Sequence, residues 1–188
     1  MAHLDYVDPD DVPPATRALL EADAETYGRP SLFARALAHN PAVLAARAEY
    51  TRSIAADGGL EPELLELATV AVSAANDCAY CVASHVERLI EGLAVPAEHA
   101  RAVARGDYAA LDERELAAVE FAQQLARDPE GVGTEGIEAL REAGFDDAGI
   151  VALVTACATA VSANAIADAL GIDPGDRGTP FAGSNGRE

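Results

Sequence analysis

The chain has 188 residues, 50% of them hydrophobic, with 32 acidic against 13 basic side chains and a formal net charge of −19. That length and apolar content suit one ordinary domain with a full core, and exclude a disordered chain. The charge excludes nucleic-acid binding through a basic patch, and docking on anionic membrane surfaces.

Strand signals are nearly absent, whereas helix signals recur with punctuation between them. Pro13-Pro14 begins a first helical turn, and Thr16 to Tyr27 follows, ended by Gly28-Arg29-Pro30. Ser31 is placed to cap a short helix to Ala38. Asn40-Pro41 then starts a helix to about Ala56, with Asn as cap and Pro at the first helical position. Asp57-Gly58-Gly59 is a stop. Glu61-Pro62 opens the next helix, through Ala75. Asn76-Asp77 interrupts it and offers a new cap for a helix over Cys78 to Glu91, stopped by Gly92. Pro96 to Arg105 is another, ended by Gly106. Asp112 caps Glu113 to Ala126, and Asp128-Pro129-Glu130-Gly131 breaks it. Thr134 is expected to cap a helix to Ala143, with Gly144 past its end. Asp146 caps a long helix to Leu170, ended by Gly171. The fold class is all-α. Residues 1–14 are expected to be an N-terminal extension, 15–171 one helical domain and 172–188 a flexible tail. Leu60–Leu93 and Phe145–Gly171 each place a strongly apolar helix after a Gly stop, which hints at an internal duplication.

The start, Met1 to Asp8, is acidic and lacks an apolar core region, so it does not read as a secretory signal. Ala148 to Ala167 carries no charged residue and is long enough to span a bilayer. Its content is mostly small and hydroxylated, so it reads better as a helix buried among other helices. A soluble cytoplasmic protein is expected. All the basic residues are Arg, and no Lys occurs. An acid-rich, Lys-free, Ala-rich chain suits concentrated salt, where screening is short-ranged. A GC-rich genome that favours Ala, Arg, Asp and Gly codons would give the same bias.

Cys78-Ala79-Tyr80-Cys81-Val82-Ala83-Ser84-His85 is the most informative stretch. On a helix, Cys81 lies roughly 60° from Cys78, and His85 roughly 40° from Cys81. All three share one face. Beginning a helix capped by Asn76 or Asp77, the sulfurs would sit near free N–H groups and the positive dipole end. That environment lowers a thiol pKa, and the thiolate is the reactive species. The pair can also close a reversible disulfide. His85 can accept a thiol proton near neutral pH. Glu66 is the last carboxylate before an uncharged run. Facing inward it would need partners and could shuttle protons; facing outward it would be an ordinary first-turn residue. Periodicity alone does not choose.

Glu66, eleven residues, then Cys78-x-x-Cys81-x-x-x-His85 resembles the signature of alkylhydroperoxidase D-like proteins, in the carboxymuconolactone decarboxylase superfamily. The likeness runs from about Asn40 to Leu170 and is sharpest over Glu66–His85. It implies an all-helical fold, often built as two related halves, and homo-oligomers, commonly trimers or hexamers. It implies a hydroperoxide substrate, no bound cofactor, and a dithiol reductant such as a lipoyl domain or a thioredoxin-like protein. It implies that Cys81 attacks the peroxide, that Cys78 resolves the product to a disulfide, and that Glu66 and His85 relay protons. Dipole logic by itself favours Cys78 as the lower-pKa thiol. Alkylhydroperoxidase D proper has a His where this chain has Tyr80, and Tyr at that place resembles the peroxidase-related branch. Tyr80 either donates a hydrogen bond at the site or packs. True carboxymuconolactone decarboxylases generally lack the cysteine pair, which argues against lyase chemistry.

Other readings stand beside this one. Cys78, Cys81, His85 and Glu66 supply four groups that could hold zinc, but one short helix is cramped for tetrahedral coordination, so no metal is expected. A non-catalytic oligomeric binding protein could keep the pair for structure. Cys157 has no neighbouring Cys or His and reads as a buried core residue. His3 is expected in a flexible end, His39 at a helix end and His99 on the surface. Ser73 and Ser84 lack a hydrolase motif, and there is no phosphate-binding Gly-rich loop. Asn164, in the uncharged helix, must find a partner, most simply a backbone group or another subunit.

Overall fold

From Leu67 on, the segment after Pro62 carries no charged side chain, and such a helix is stable only when neighbours cover it all round. The computed structural model, which describes residues 2–57 and 59–175 (side chains of 55–57 excepted), places it at the centre. The helices are α1 (Pro14–Tyr27), α2 (Leu32–Leu37), α3 (Pro41–Asp57), α4 (Pro62–Ala75), α5 (Ala79–Glu87), α6 (Ala97–Ala104), α7 (Glu113–Arg127), α8 (Gly133–Glu142) and α9 (Asp147–Ala169). No strand occurs among the described residues. The central α4 packs on α5, α6, α7 and α9, and α9 packs also on α3 and α7. Leu64, Leu67, Val70, Ala71 and Val72 of α4 meet Val119, Phe121 and Ala122 of α7 and Ile150, Leu153 and Cys157 of α9 in one core. Leu67 is 1% exposed; truncating such a side chain to Ala costs about 2–5 kcal/mol.

Local chemistry sets most of the boundaries. Ser31 accepts the Ala34 N–H at 3.1 Å, and Asp146 accepts that of Gly149 at 2.7 Å. Asp112 and Glu115 form a reciprocal capping box at the start of α7. Thr134 does not cap. The Asp128 carboxylate already takes the Gly131 N–H at 3.1 Å, Glu130–Val132 forms a 3₁₀ turn, and α8 starts two residues earlier than expected, at Gly133. After α5 the chain runs on through a π turn over Arg88–Gly92.

The N-terminal segment is anchored rather than loose. His3 N–H donates to the Leu170 carbonyl at 2.9 Å, and Arg35 Nε donates to the Val7 carbonyl at 2.9 Å. His39 Nε2 lies 2.8 Å from the Asp5 carbonyl oxygen. The His3 ring lies over Gly171, where φ is +60° and a Cβ would come within 2.9 Å of its Nε2. Only glycine meets both conditions without strain. Ile172 is buried just beyond. The rest of the expected tail, 176–188, and Gly58 of the expected stop lie outside the described residues.

The uncharged helix is covered on one side only. Ile150, Leu153, Cys157, Ala160, Asn164 and Ala167 are buried, while Val151 on the other side is 64% exposed. Among the described residues α9 is the one helix long and apolar enough to cross a membrane. The expectation of a helix buried among others therefore holds for its inner face.

Candidate functional site

The site begins at the corner between α4 and α5. Asn76 ends α4, Asp77 turns the chain with a φ of +57°, and Cys78 is the residue before α5. Asp is among the few residues that tolerate this left-handed conformation. The Cys78 N–H donates to the Ser73 carbonyl at 3.0 Å, which pins the corner. Cys78 itself occupies the cap position, and its own side chain makes no cap bond. Asn76 cannot serve there because its amide is turned toward Asn164, to which it donates at 2.9 Å. Cys81 thus falls in the first turn of α5, where backbone N–H groups lack helical acceptors.

The two cysteines meet. Cys78 Sγ donates to Cys81 Sγ across 2.7 Å, and both are free thiols. Cys78 is 0% and Cys81 3% exposed. Tyr80, Ala36, Ala167 and Ile172 share their cluster, with Tyr6, Leu32 and Phe33 packed against it. The hydrogen bond separates the thiols chemically. That bond, then burial, pushes the Cys78 thiol well above its usual range. The same bond lowers Cys81, against desolvation; Asn164, by a hydrogen bond, and His85, by charge, lower it further. The helix dipole alone would have favoured Cys78, but a buried thiol that donates its proton outward cannot also be the charged one.

Glu66 faces inward, 7% exposed. Its Oε2 lies 2.6 Å from His85 Nδ1 and its Oε1 lies 3.1 Å from Arg88 Nη1. Burial would raise this carboxyl, but the charge and hydrogen bond of His85, with Arg88, hold it below the usual carboxylate range. Burial would lower His85, but Glu66 and then the Cys81 charge raise it above the usual imidazole value. Arg88 also lies over the Tyr27 ring at 5.5 Å, and that ring meets His85 edge-on at 6.5 Å. Burial, then the Glu66 charge, keep the Tyr27 phenol protonated.

Glu66, Cys78, Cys81 and His85 are therefore brought together. The Tyr80 hydroxyl accepts the Phe33 N–H at 3.1 Å, which ties α5 to α2. Cys157 is buried, its thiol pushed up to about 12 by desolvation. His99 is half-buried and 4.0 Å from Glu115, not on the open surface. Asn164 finds side chains, Ser73 and Asn76, rather than a backbone group. Among the described residues no three His, Cys, Asp or Glu side chains are arranged to hold a metal ion.

Arg88, Tyr27 and Arg47 are additions to the site. Arg88 follows His85 by three residues, a spacing that already put it on the same helix face. Tyr27 and Arg47 come from α1 and α3, so no local pattern pointed to them. Arg47 donates to the Thr159 carbonyl at 3.2 Å, lies over Phe33 at 5.1 Å and is within electrostatic reach of Cys81.

Residues 41–124 match the model of the Carboxymuconolactone decarboxylase family. No curated protein matches the sequence. The fold is similar to an uncharacterized peroxidase-related protein from Ralstonia eutropha JMP134, described as an alkylhydroperoxidase AhpD core, with a TM-score of 0.84, 28% identity and 93% of each chain covered. It is similar to a second uncharacterized peroxidase-related protein, from Silicibacter sp. TM1040, with a TM-score of 0.80, 24% identity and 90% of each chain covered. It also resembles a cysteine-to-alanine variant of the debrominase Bmp8, solved with 2,3,4-tribromopyrrole, at a TM-score of 0.81, 16% identity and coverage of 92% of this chain and 91% of that one. The latter two likenesses concern the fold alone. In its helical architecture, its matched segment and its peroxidase-related neighbour, the chain is similar to the alkylhydroperoxidase D-like and carboxymuconolactone decarboxylase superfamily.

Proposed function

We propose that the protein is a thiol oxidoreductase that reduces hydroperoxides through Cys78 and Cys81, with His85 and Glu66 as its proton relay. The observation that carries this reading is the asymmetric thiol pair, Cys78 donating to Cys81 across 2.7 Å, beside the Glu66–His85 pair. The Cys81 proton passes to His85, whose imidazolium is held by Glu66. The Cys81 thiolate attacks the outer peroxide oxygen; an S–O bond forms and the O–O bond breaks. The leaving alkoxide takes the proton from His85 and departs as alcohol. Cys78 then attacks the sulfenic sulfur, and hydroxide leaves as water with the Cys78 proton. A dithiol donor, a lipoyl domain or thioredoxin-like protein, exchanges with the disulfide and is itself oxidised, restoring both thiols. Glu66 stays ionised and orients the imidazole. The reading places the protein in a reducing, cytoplasmic setting as a homo-oligomer, trimer or hexamer.

The test is loss of thiols in the reduced chain on adding a hydroperoxide. Two thiols per chain are expected to vanish, at Cys78 and Cys81, with Cys157 intact. Cys81→Ser is expected to abolish consumption, and Cys78→Ser to stop at the sulfenic acid. Wild-type consumption by Cys81→Ser would overturn the assignment. One observation favours a second reading. Both sulfurs are buried, as a purely structural pair in a binding protein would be. Failure of dithiols to reduce the oxidised pair would support that reading instead. The carboxymuconolactone decarboxylase reading gains nothing from the geometry, which builds a thiol site.

A further inference from the structure

Asn164 sits in the C-terminal half of α9, in its uncharged stretch, and is 2% exposed. A buried primary amide has two donors and a carbonyl to satisfy. The carbonyl Oδ1 accepts from Asn76 Nδ2 at 2.9 Å. Nδ2 donates to Ser73 Oγ at 3.1 Å, and Ser73 is fully buried. The same side chain hydrogen-bonds Cys81. Ala167, three residues further along α9, lies in the cluster of Cys78 and Cys81. With the oxygen end taken up by Asn76, the nitrogen end, which carries both N–H donors, is the end available to Cys81. Three helices, α4, α5 and α9, thus converge on one amide. The Glu66–His85 relay makes no use of it.

We propose that Asn164 is a catalytic residue of this site, its amide held by Asn76 and Ser73 so that one N–H donates to the Cys81 sulfur and stabilises the negative charge that gathers there. This rests on reading Cys81 as the attacking thiol. A fixed dipole in a buried pocket stabilises an anion strongly, because the medium is poorly screening and nothing need reorient as the charge forms. The interaction is strongest for the thiolate and weaker for the uncharged disulfide sulfur. It therefore favours charge on Cys81 rather than on Cys78. The other groups that set the Cys81 charge are the Cys78 thiol and His85 on its own helix, Arg47 from α3, and Asp168 from α9, which opposes it.

The test needs no peroxide. The reduced full chain is alkylated with iodoacetamide across a pH series, and the Cys81 adduct is followed by mass spectrometry. The midpoint of the pH profile is the readout, since accessibility changes the rate but not the midpoint. Asn164→Leu is expected to move the midpoint up by about one unit, about tenfold less thiolate near neutrality. Asn76→Ala frees the amide to rotate and leaves the core in place; a shift of about half a unit is expected. If Asn164→Leu does not fold, Asn76→Ala decides. An unmoved midpoint in the folded variants overturns the proposal. A shifted midpoint in a protein that consumes no peroxide would sustain the role of Asn164 while removing the peroxidase reading, so the two fail separately.

Discussion

Glu66 and His85, nineteen residues apart on different helices, are joined carboxylate to imidazole at 2.6 Å. The second carboxylate oxygen is held by Arg88 at 3.1 Å, so Glu66 is engaged at both oxygens inside the protein. The carboxyl is lowered and the imidazole raised, each by the other's charge against the opposing effect of burial.

This pairing dictates how stability varies with pH. The His85 value is raised from 6.5, so its contribution is complete below pH 6.5 and is lost as pH rises through the higher folded value. The Glu66 value is lowered from 4.5, so its contribution is complete above pH 4.5 and is lost as pH falls through the lower folded value. Denaturant unfolding of the wild type against Glu66→Gln is expected to differ most between those limits. The difference there is expected to be about 3 kcal/mol, because the variant leaves buried cations without their partner. A constant difference across pH would contradict the ion pair.

Arg88 is expected to act through Glu66. Arg88→Gln removes a positive charge that keeps the carboxyl ionised, so the acid limb of peroxide reduction should move to higher pH. Arg88→Lys should restore part of the shift, since charge is kept while the planar fork is lost. The kcat/KM profile of the three proteins checks this; a uniform drop at every pH would indicate a structural role only.

Tyr80 is expected to hold structure rather than move protons. Tyr80→Phe removes the acceptor of the Phe33 N–H and should cost about 1–3 kcal/mol in unfolding free energy. Peroxide reduction should stay within about twofold, because the hydroxyl serves the Phe33 N–H of α2 and not the Glu66–His85 pair. A tenfold loss of kcat with an altered pH profile would place the hydroxyl in the relay.

Cys157 is expected to stay reduced. Its thiol is pushed up to about 12 and it is 1% exposed, so peroxide that oxidises the other two cysteines should leave it as the free thiol. Peptide mapping after oxidation checks this, and oxidation of Cys157 at a matching rate would contradict the burial.

We also propose that stability depends on salt. With 32 acidic against 13 basic side chains, the folded chain repels itself. Raising potassium chloride from dilute buffer should raise Tm, and equal Tm at both ends would count against it.

The sequence by itself determined the helical class, most helix boundaries and which four residues to consider as a candidate site. These are local or periodic properties: a Pro at a first turn, an Asp three residues before an N–H it can accept, and cysteines and a histidine returning to one face every third or fourth position. It could not say which way Glu66 faced, because large apolar residues stand on either side of it around the helix and mark no single buried face. It misplaced the caps at Asn76 and Thr134, where side chains answer to partners far along the chain or to a preceding turn. Tyr27, Arg47 and the partners of Asn164 come from helices separated by dozens of residues. Only the packing of α4, α5 and α9 brought Ser73, Asn76, Cys81 and Asn164 to one point. The balance between the two thiols was decided there as well, since it depends on which of the two buried sulfurs donates and on the groups packed around the other.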